Sequence, residues 1–205
     1  MIFGLTGSMA AGKSTAAKIL KNKGFTVIDA DSIAHRVIEL HEVKAELRAA
    51  FGDGIFTPEG AINHKALASA AFETGRVAAL NAITHPRIKE KMLAEAKIAE
   101  SQFGCAVLDV PLLIESGLNA NCDVVLLITA NIETCYARIM KRDGLTLEQA
   151  QARLNNQMPQ WEKERYADYI INNDGDEKEL EHALMNAVET AFKANERKDG
   201  AHDLQ

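Results

Sequence analysis

Residues 7–14 read Gly7-Ser8-Met9-Ala10-Ala11-Gly12-Lys13-Ser14. A glycine, a short spacer, a second glycine, a lysine and a hydroxyl in that order form a phosphate cradle when they sit between a strand and a helix. Glycine lets the backbone curl so that successive N–H groups point inward, and the helix that follows adds the positive end of its dipole. Lys13 then reaches the β and γ phosphates of a nucleoside triphosphate, Ser14 offers its hydroxyl to Mg²⁺, and Thr15 is placed for the α phosphate. Gly7, Ala10, Ala11, Gly12, Lys13, Ser14 and Thr15 are therefore the expected nucleotide-binding set. A glycine turn that merely joins strand to helix would need neither the lysine nor the hydroxyl.

Holding a triphosphate does not decide what attacks it. Motor ATPases place Asp-Glu after a strand, the glutamate activating water, whereas Asp109 is followed here by Val110-Pro111. Guanine readers carry Asn-Lys-x-Asp, and Asn22-Lys23 runs into Gly24. Neither hydrolysis nor guanine selection is indicated. Asp29-Ala30-Asp31 leaves the second strand candidate, where carboxylates in a parallel sheet meet ligands. Such a residue could accept a proton from an acceptor hydroxyl; Asp31 is expected to be functional, while Asp29 divides evenly between function and capping the next helix. Asp109 has the strand-end position of a metal-binding carboxylate without the rest of that motif. Arg138, Arg142 and Arg153 lie on short charged helices that could close over phosphates, Arg142 at the turn between them. A nucleotide sensor without chemistry, or a kinase acting on another small metabolite, would share the loop and differ in its response to acceptors.

These residues need a frame. Short apolar runs at Ile2–Thr6, Phe25–Asp29, Ala106–Val110, Val124–Thr129 and Tyr169–Asn172 lack clean alternation and are separated by helical stretches. That pattern fits an α/β chain with a five-stranded parallel sheet covered on both faces. Lys13–Lys23 reads as the first helix. Residues 32–103 are nearly all helical, with breaks expected at Gly52–Pro58 and at His85-Pro86, and form an insertion. Ile132–Lys141 and Leu147–Met158 read as a helical lid over residues 132–166, stopped by Pro159. Glu177–Phe192 is amphipathic and closes the fold, and residues 196–205 are expected to be a polar tail. Core segments are then about 1–31, 104–131 and 167–195.

The chain of 205 residues carries a formal net charge of −6, which argues against a broad nucleic-acid surface. No long apolar run or leader is apparent, so a cytoplasmic location and no membrane partner are expected. Cys105, Cys122 and Cys135 are odd in number and sit among apolar neighbours, which reads as buried thiols rather than disulfides or a metal site.

Taken together, the motifs resemble the dephospho-CoA kinase family. The matching pieces are Leu5-Thr6-Gly7 leading into the loop, Val27-Ile28-Asp29-Ala30-Asp31-Ser32-Ile33-Ala34-His35 and Ile83-Thr84-His85-Pro86. Val110-Pro111-Leu112-Leu113-Ile114-Glu115-Ser116-Gly117-Leu118 and Arg138 to Gly144 follow, then Arg153, Gln157, Lys163, Ala167-Asp168-Tyr169 and Asn173. The resemblance implies a P-loop kinase fold with a helical insertion and a lid. It also implies ATP and Mg²⁺ as cofactors, dephospho-CoA as the small-molecule substrate, and a monomer or weak homo-oligomer. By the same resemblance Asp31 is the general base, Lys13, Arg138 and Arg142 stabilise charge on the phosphoryl group, and His35, His85 and Glu115 line the acceptor side. His85 is read equally well as a helix boundary before proline. The family commonly writes its loop with more glycine where this chain has Ser8, Met9, Ala10 and Ala11, so altered affinity rather than lost function is expected. Asn172 stands where the family frequently has an acid.

Overall fold

Six consecutive buried residues, Ile2–Gly7, form β1, and their lack of alternation follows from burial on both faces. In the computed structural model, which describes residues 1–202 and side chains through Arg197, β1 is the centre of a five-stranded parallel sheet of order β2-β3-β1-β4-β5. The other strands are β2 (Val27–Asp29), β3 (Ala106–Asp109), β4 (Val124–Thr129) and β5 (Tyr169–Asn172). Parallel neighbours need crossovers, and helices supply them. Register fixes what meets at the carboxyl ends of the strands. Leu5 lies beside Asp109 of β3, and Gly7 beside Ile128 of β4.

Two compact units make up the chain, residues 1–27 with 97–205 and residues 28–96. In the first, α1 (Lys13–Asn22) and α9 (Glu177–His202) share a core with the sheet that includes Phe3, Leu5, Ile19, Leu126, Leu180 and Leu184. Phe3 and Phe192 meet edge to face, their ring centroids 5.4 Å apart. The segment expected to be a lid consists of α6 (Ile132–Asp143), α7 (Leu147–Leu154) and the single turn α8 (Gln160–Lys163). Gly144 ends α6 with φ 67°, the left-handed conformation that glycine adopts without steric cost. Thr146 and Gln149 start α7 with a reciprocal capping box.

The second unit contains α2 (Ala30–Ile38), α3 (His41–Phe51), α4 (His64–Phe72) and most of α5 (Val77–Phe103). Its buried residues include Ile33, Val37, Val43, Leu47, Ile55, Leu67 and Met92. Arg36 pairs with Glu95 at 3.0 Å and Arg87 with Glu46 at 2.6 Å.

Several boundaries differ from expectation. The break expected at His85-Pro86 is absent, because α5 runs through Pro86. Proline removes one helical N–H, but in a helix of 27 residues the remaining ladder supports the site. Two side chains add donors nearby: Thr84 Oγ1 donates to the Leu80 carbonyl at 2.9 Å and Arg87 Nη1 to that of Ile83 at 2.8 Å. Helix α7 stops at Leu154 rather than Met158, and α6 extends through Asp143, so Arg142 lies in a helical last turn. Helix α9 continues past Phe192 to His202 through good helix formers such as Ala194, Glu196 and Lys198. Residues 203–205 of the expected tail lie outside the described residues. The break near Gly52–Pro58 is present, as one tight turn at Asp53–Ile55 followed by the bridge between Phe56 and Ile62.

The cysteines are free, and burial pushes the Cys122 thiol up to about 12. Leu126 is fully buried in the sheet. Leu126→Ala should destabilise the protein by about 2–5 kcal/mol, read as a lower urea midpoint, through lost burial and an unfilled cavity.

Candidate active site

The loop that leaves β1 is a tight curl. Ala11 N–H donates to the Ser8 carbonyl at 3.0 Å, and Gly12, with φ 103°, turns the chain into α1. Ala10 also has positive φ, 62°, a conformation that costs a non-glycine residue roughly 1–2 kcal/mol. This alanine is thus held in the loop at a local cost. A Cβ on Gly12 would lie 1.9 Å from Asn173 Nδ2, so that position is closed to any other residue.

Helix α1 begins without a side-chain cap and without an acid in its first turn. An uncapped N-terminus leaves main-chain N–H groups and the positive dipole end available to an anion. Lys13, on that turn, donates from Nζ to Asp109 Oδ1 at 2.5 Å. Asp109 is 4% exposed, and Lys13 lies in the same half-buried hollow. A buried carboxylate beside an ammonium at the carboxyl end of a central strand makes a compact polar base to the loop. Ser14 is exposed on the same turn and Thr15 half-buried. Ser14 hydroxyl and Asp109 carboxylate are hard oxygen donors of the kind Mg²⁺ takes in small number beside phosphate oxygens. Among the described residues no cluster of three His, Cys, Asp or Glu could hold a metal without such help.

The lid arginines are placed differently from one another. Arg138 donates through Nη1 to the carbonyls of Ala10 (3.2 Å) and Ala11 (3.4 Å) and through Nη2 to that of Asn173 (2.8 Å). Arg142 instead grips Asp143 with two bonds, Nε to Oδ1 at 2.8 Å and Nη2 to Oδ2 at 2.9 Å, and Arg153 adds a third at 2.6 Å. Gln157, just beyond α7, accepts at Oε1 from Met9 N–H of the loop at 3.2 Å. Between lid and loop lies a cavity of about 530 Å³, lined by Ser8, Asn131, Leu154, Gln157, Trp161 and Glu164 among others. Among the described residues, Ser8 Oγ is the buried side-chain polar atom without a hydrogen-bond partner.

Glu115 is not a lone acid. Lys163, fully buried, places Nζ 2.9 Å from its Oε1 and 3.4 Å from the Pro111 carbonyl, which ties the end of the lid to the segment after β3. In the second unit Asp29 is the cap: its Oδ1 accepts from Ser32 N–H at 2.7 Å. Asp31 is exposed in the first turn of α2. His35 Nδ1 lies 2.7 Å from the Asp31 carbonyl, and because a carbonyl only accepts, that nitrogen carries the proton. The His35 ring also lies against that of His64, centroids 4.8 Å apart. His85 is exposed on α5.

Within the first unit the structure brings together Gly7, Ala10, Ala11, Gly12, Lys13, Arg138 and Asp109; Arg142 and Arg153 meet at Asp143, away from the loop carbonyls. Residues with no predicted role also enter: Gln157, Lys163 and Asn173 by contact with the site, His64 by contact with His35. Gln157, Lys163 and Asn173 were marked only by the family resemblance, and nothing in the sequence marked His64.

The family model for dephospho-CoA kinase matches residues 1–179. The chain belongs to the dephospho-CoA kinase family. A member from Deinococcus radiodurans is 43% identical over 187 residues, covering 90% of this chain and 89% of its own. A solved structure from Thermus thermophilus superposes with a TM-score of 0.77 at 32% identity, over 93% of this chain and 97% of its own. The dephospho-CoA kinase from Campylobacter jejuni gives 0.74 at 32% identity, over 95% and 98%. The family match covers both units and ends just inside α9. Among the described residues no helix is long and apolar enough to cross a membrane.

The hydrogen bond from Arg142, with the charges of Arg142 and Arg153, holds the Asp143 carboxyl below its ordinary value. A carboxyl lowered in the folded state stabilises above its unfolded value and loses that contribution as pH falls through the folded one. The Arg142–Asp143–Arg153 cluster should therefore persist as ordinary aspartates protonate. A carbon-13 titration of the Asp143 carboxyl should find its midpoint below that of an unstructured aspartate; a midpoint at or above it would mean that the cluster does not form in solution.

Proposed function

We propose that this chain transfers the γ phosphoryl group of ATP to the ribose 3′-hydroxyl of dephospho-CoA, giving CoA and ADP in the last step of CoA synthesis. The observation that carries phosphoryl transfer is the Lys13–Asp109 pair beneath a glycine loop and an uncapped helix. The acceptor is carried by membership of the family.

Phosphoryl transfer asks a protein mainly for alignment and charge neutralisation. The loop amides and the start of α1 hold the phosphates, and Lys13 supplies an ammonium at the β and γ groups, exchanging Asp109 for phosphate oxygens. Ser14 and Asp109 are the residues that would hold Mg²⁺, which when bound neutralises phosphate charge. Thr15 takes the α phosphate. Asp31 receives the proton of the attacking hydroxyl as its oxygen bonds to the γ phosphorus and the bond to the bridging oxygen breaks. Arg142 leaves Asp143 to meet the phosphates when the lid closes, and Arg138 adds positive charge from behind the loop. His35, His85 and Glu115 serve the acceptor side, Glu115 held in place by Lys163. Residues 32–103 are the acceptor-binding insertion and 132–166 the lid. We place the reaction in the cytoplasm, carried out by a monomer or weak homo-oligomer without nucleic acid.

An assay coupling ADP release to dephospho-CoA tests this directly. The wild-type chain with Mg-ATP should release ADP in step with CoA formed, and only when dephospho-CoA is present. Asp31→Asn should lower turnover by about 10²- to 10⁴-fold with ATP affinity nearly unchanged, the span of a positioned general base. Lys13→Ala should lose both affinity and turnover. Normal turnover in Asp31→Asn would return that residue to a structural role, and ADP release independent of acceptor would overturn the kinase reading.

A further inference from the structure

A cradle of main-chain amides works only if its carbonyls are turned elsewhere and held there. The loop cannot do this alone, since the peptides on either side of Ala11 have no partner of regular secondary structure. We propose that Arg138 and Asn173 are positioning residues that brace the phosphate loop from behind and so set the aim of its amides. The proposal deepens the kinase reading and rests on it for the use to which the loop is put.

Each peptide unit is planar and trans, so its carbonyl and N–H point in opposite directions. The Ala10 carbonyl accepts from Arg138 Nη1, and the N–H of the same plane, that of Ala11, closes on Ser8 inside the curl. The Ala11 carbonyl accepts from Asn173 Nδ2 at 2.7 Å and from Arg138 Nη1 at 3.4 Å. That fixes the N–H of Gly12 on the opposite side, at the mouth of α1. One side chain could be replaced by water, but two converging donors on one carbonyl define a direction.

The brace is itself anchored. Arg138 Nη2 donates to the Asn173 carbonyl at 2.8 Å, and Asn173 N–H donates to the Thr129 carbonyl at 2.8 Å, so loop, α6 and the exits of β4 and β5 are joined. Asn173 is 7% exposed. A buried primary amide without partners would be costly, and here its Nδ2 donates to the loop. The absence of a Cβ at Gly12 lets Asn173 Nδ2 approach, which explains the glycine by contact as well as by φ. Both terminal nitrogens of Arg138 are directed at main-chain carbonyls rather than into the hollow. Arg142, four residues on, is exposed and paired to a neighbour's carboxylate, so the two arginines divide the work into aiming the loop and meeting the phosphates.

ADP affinity separates aiming from transition-state contact. The loop amides hold the β phosphate in substrate and product alike, so a loosened brace weakens ADP and ATP together. A guanidinium acting on the travelling phosphoryl group would lower kcat and leave ADP untouched. Lysine keeps the charge of Arg138 but cannot span three carbonyls. Arg138→Lys and Asn173→Ala should each raise the ADP Kd and the ATP KM about tenfold, the order of one buried hydrogen bond. The double variant should fall well short of the product of the two, because both act on the Ala11 carbonyl. If Asn173→Ala does not fold, Asn173→Ser carries the same comparison. Unchanged ADP affinity with reduced kcat, or fully multiplicative effects, would overturn the brace. ADP binding does not involve the acceptor, so failure of the dephospho-CoA assay would leave this result interpretable by itself.

Discussion

A short turn of backbone that must present N–H groups to one hollow, and keep every carbonyl out of it, is the constraint on which the first unit is organised. β1 delivers the turn at the centre of the sheet, α1 receives it with an uncapped end, and Lys13 hangs beside it on Asp109. In a chain of net charge −6 this concentration of donors is local. Such a local concentration suits a small polyanion.

Residues 132–166 are held unevenly, Arg138 being bonded to loop and Asn173 carbonyls while Arg142 and Arg153 meet at Asp143. The ion pairs of Arg142 and Arg153 with Asp143 lie near the surface, where such pairs contribute little, whereas the bond from Met9 N–H to Gln157 is partly buried. The buried Lys163–Glu115 pair fixes one end of the segment.

Much of this was legible in the sequence, for local reasons. The loop, the five strands and the start of α1 follow from spacing and burial that a few consecutive residues encode. What escaped depends on distant partners. Pro86 looked like a stop, since the support given by a 27-residue helix is not visible at the proline. The sequence left Asp29 divided between function and capping; the bond from Ser32 N–H makes it the cap, while Asp31 is exposed. Arg138 and Arg142 share a helix and a motif, yet one faces loop carbonyls and the other a neighbouring carboxylate. The partners of Arg138 lie far along the chain, in the phosphate loop and at Asn173. The pairing of Glu115 with Lys163 was hidden because the buried lysine lies far along the chain.

The amide resonances of residues 7–15, followed in nitrogen-15 spectra as Mg-ADP is added, test the central claim most directly. Saturable shifts that are largest at Gly12, Lys13 and Ser14, with the Lys13 side chain leaving Asp109, are the predicted result. Saturable binding that leaves those amides in place while others move would contradict the account.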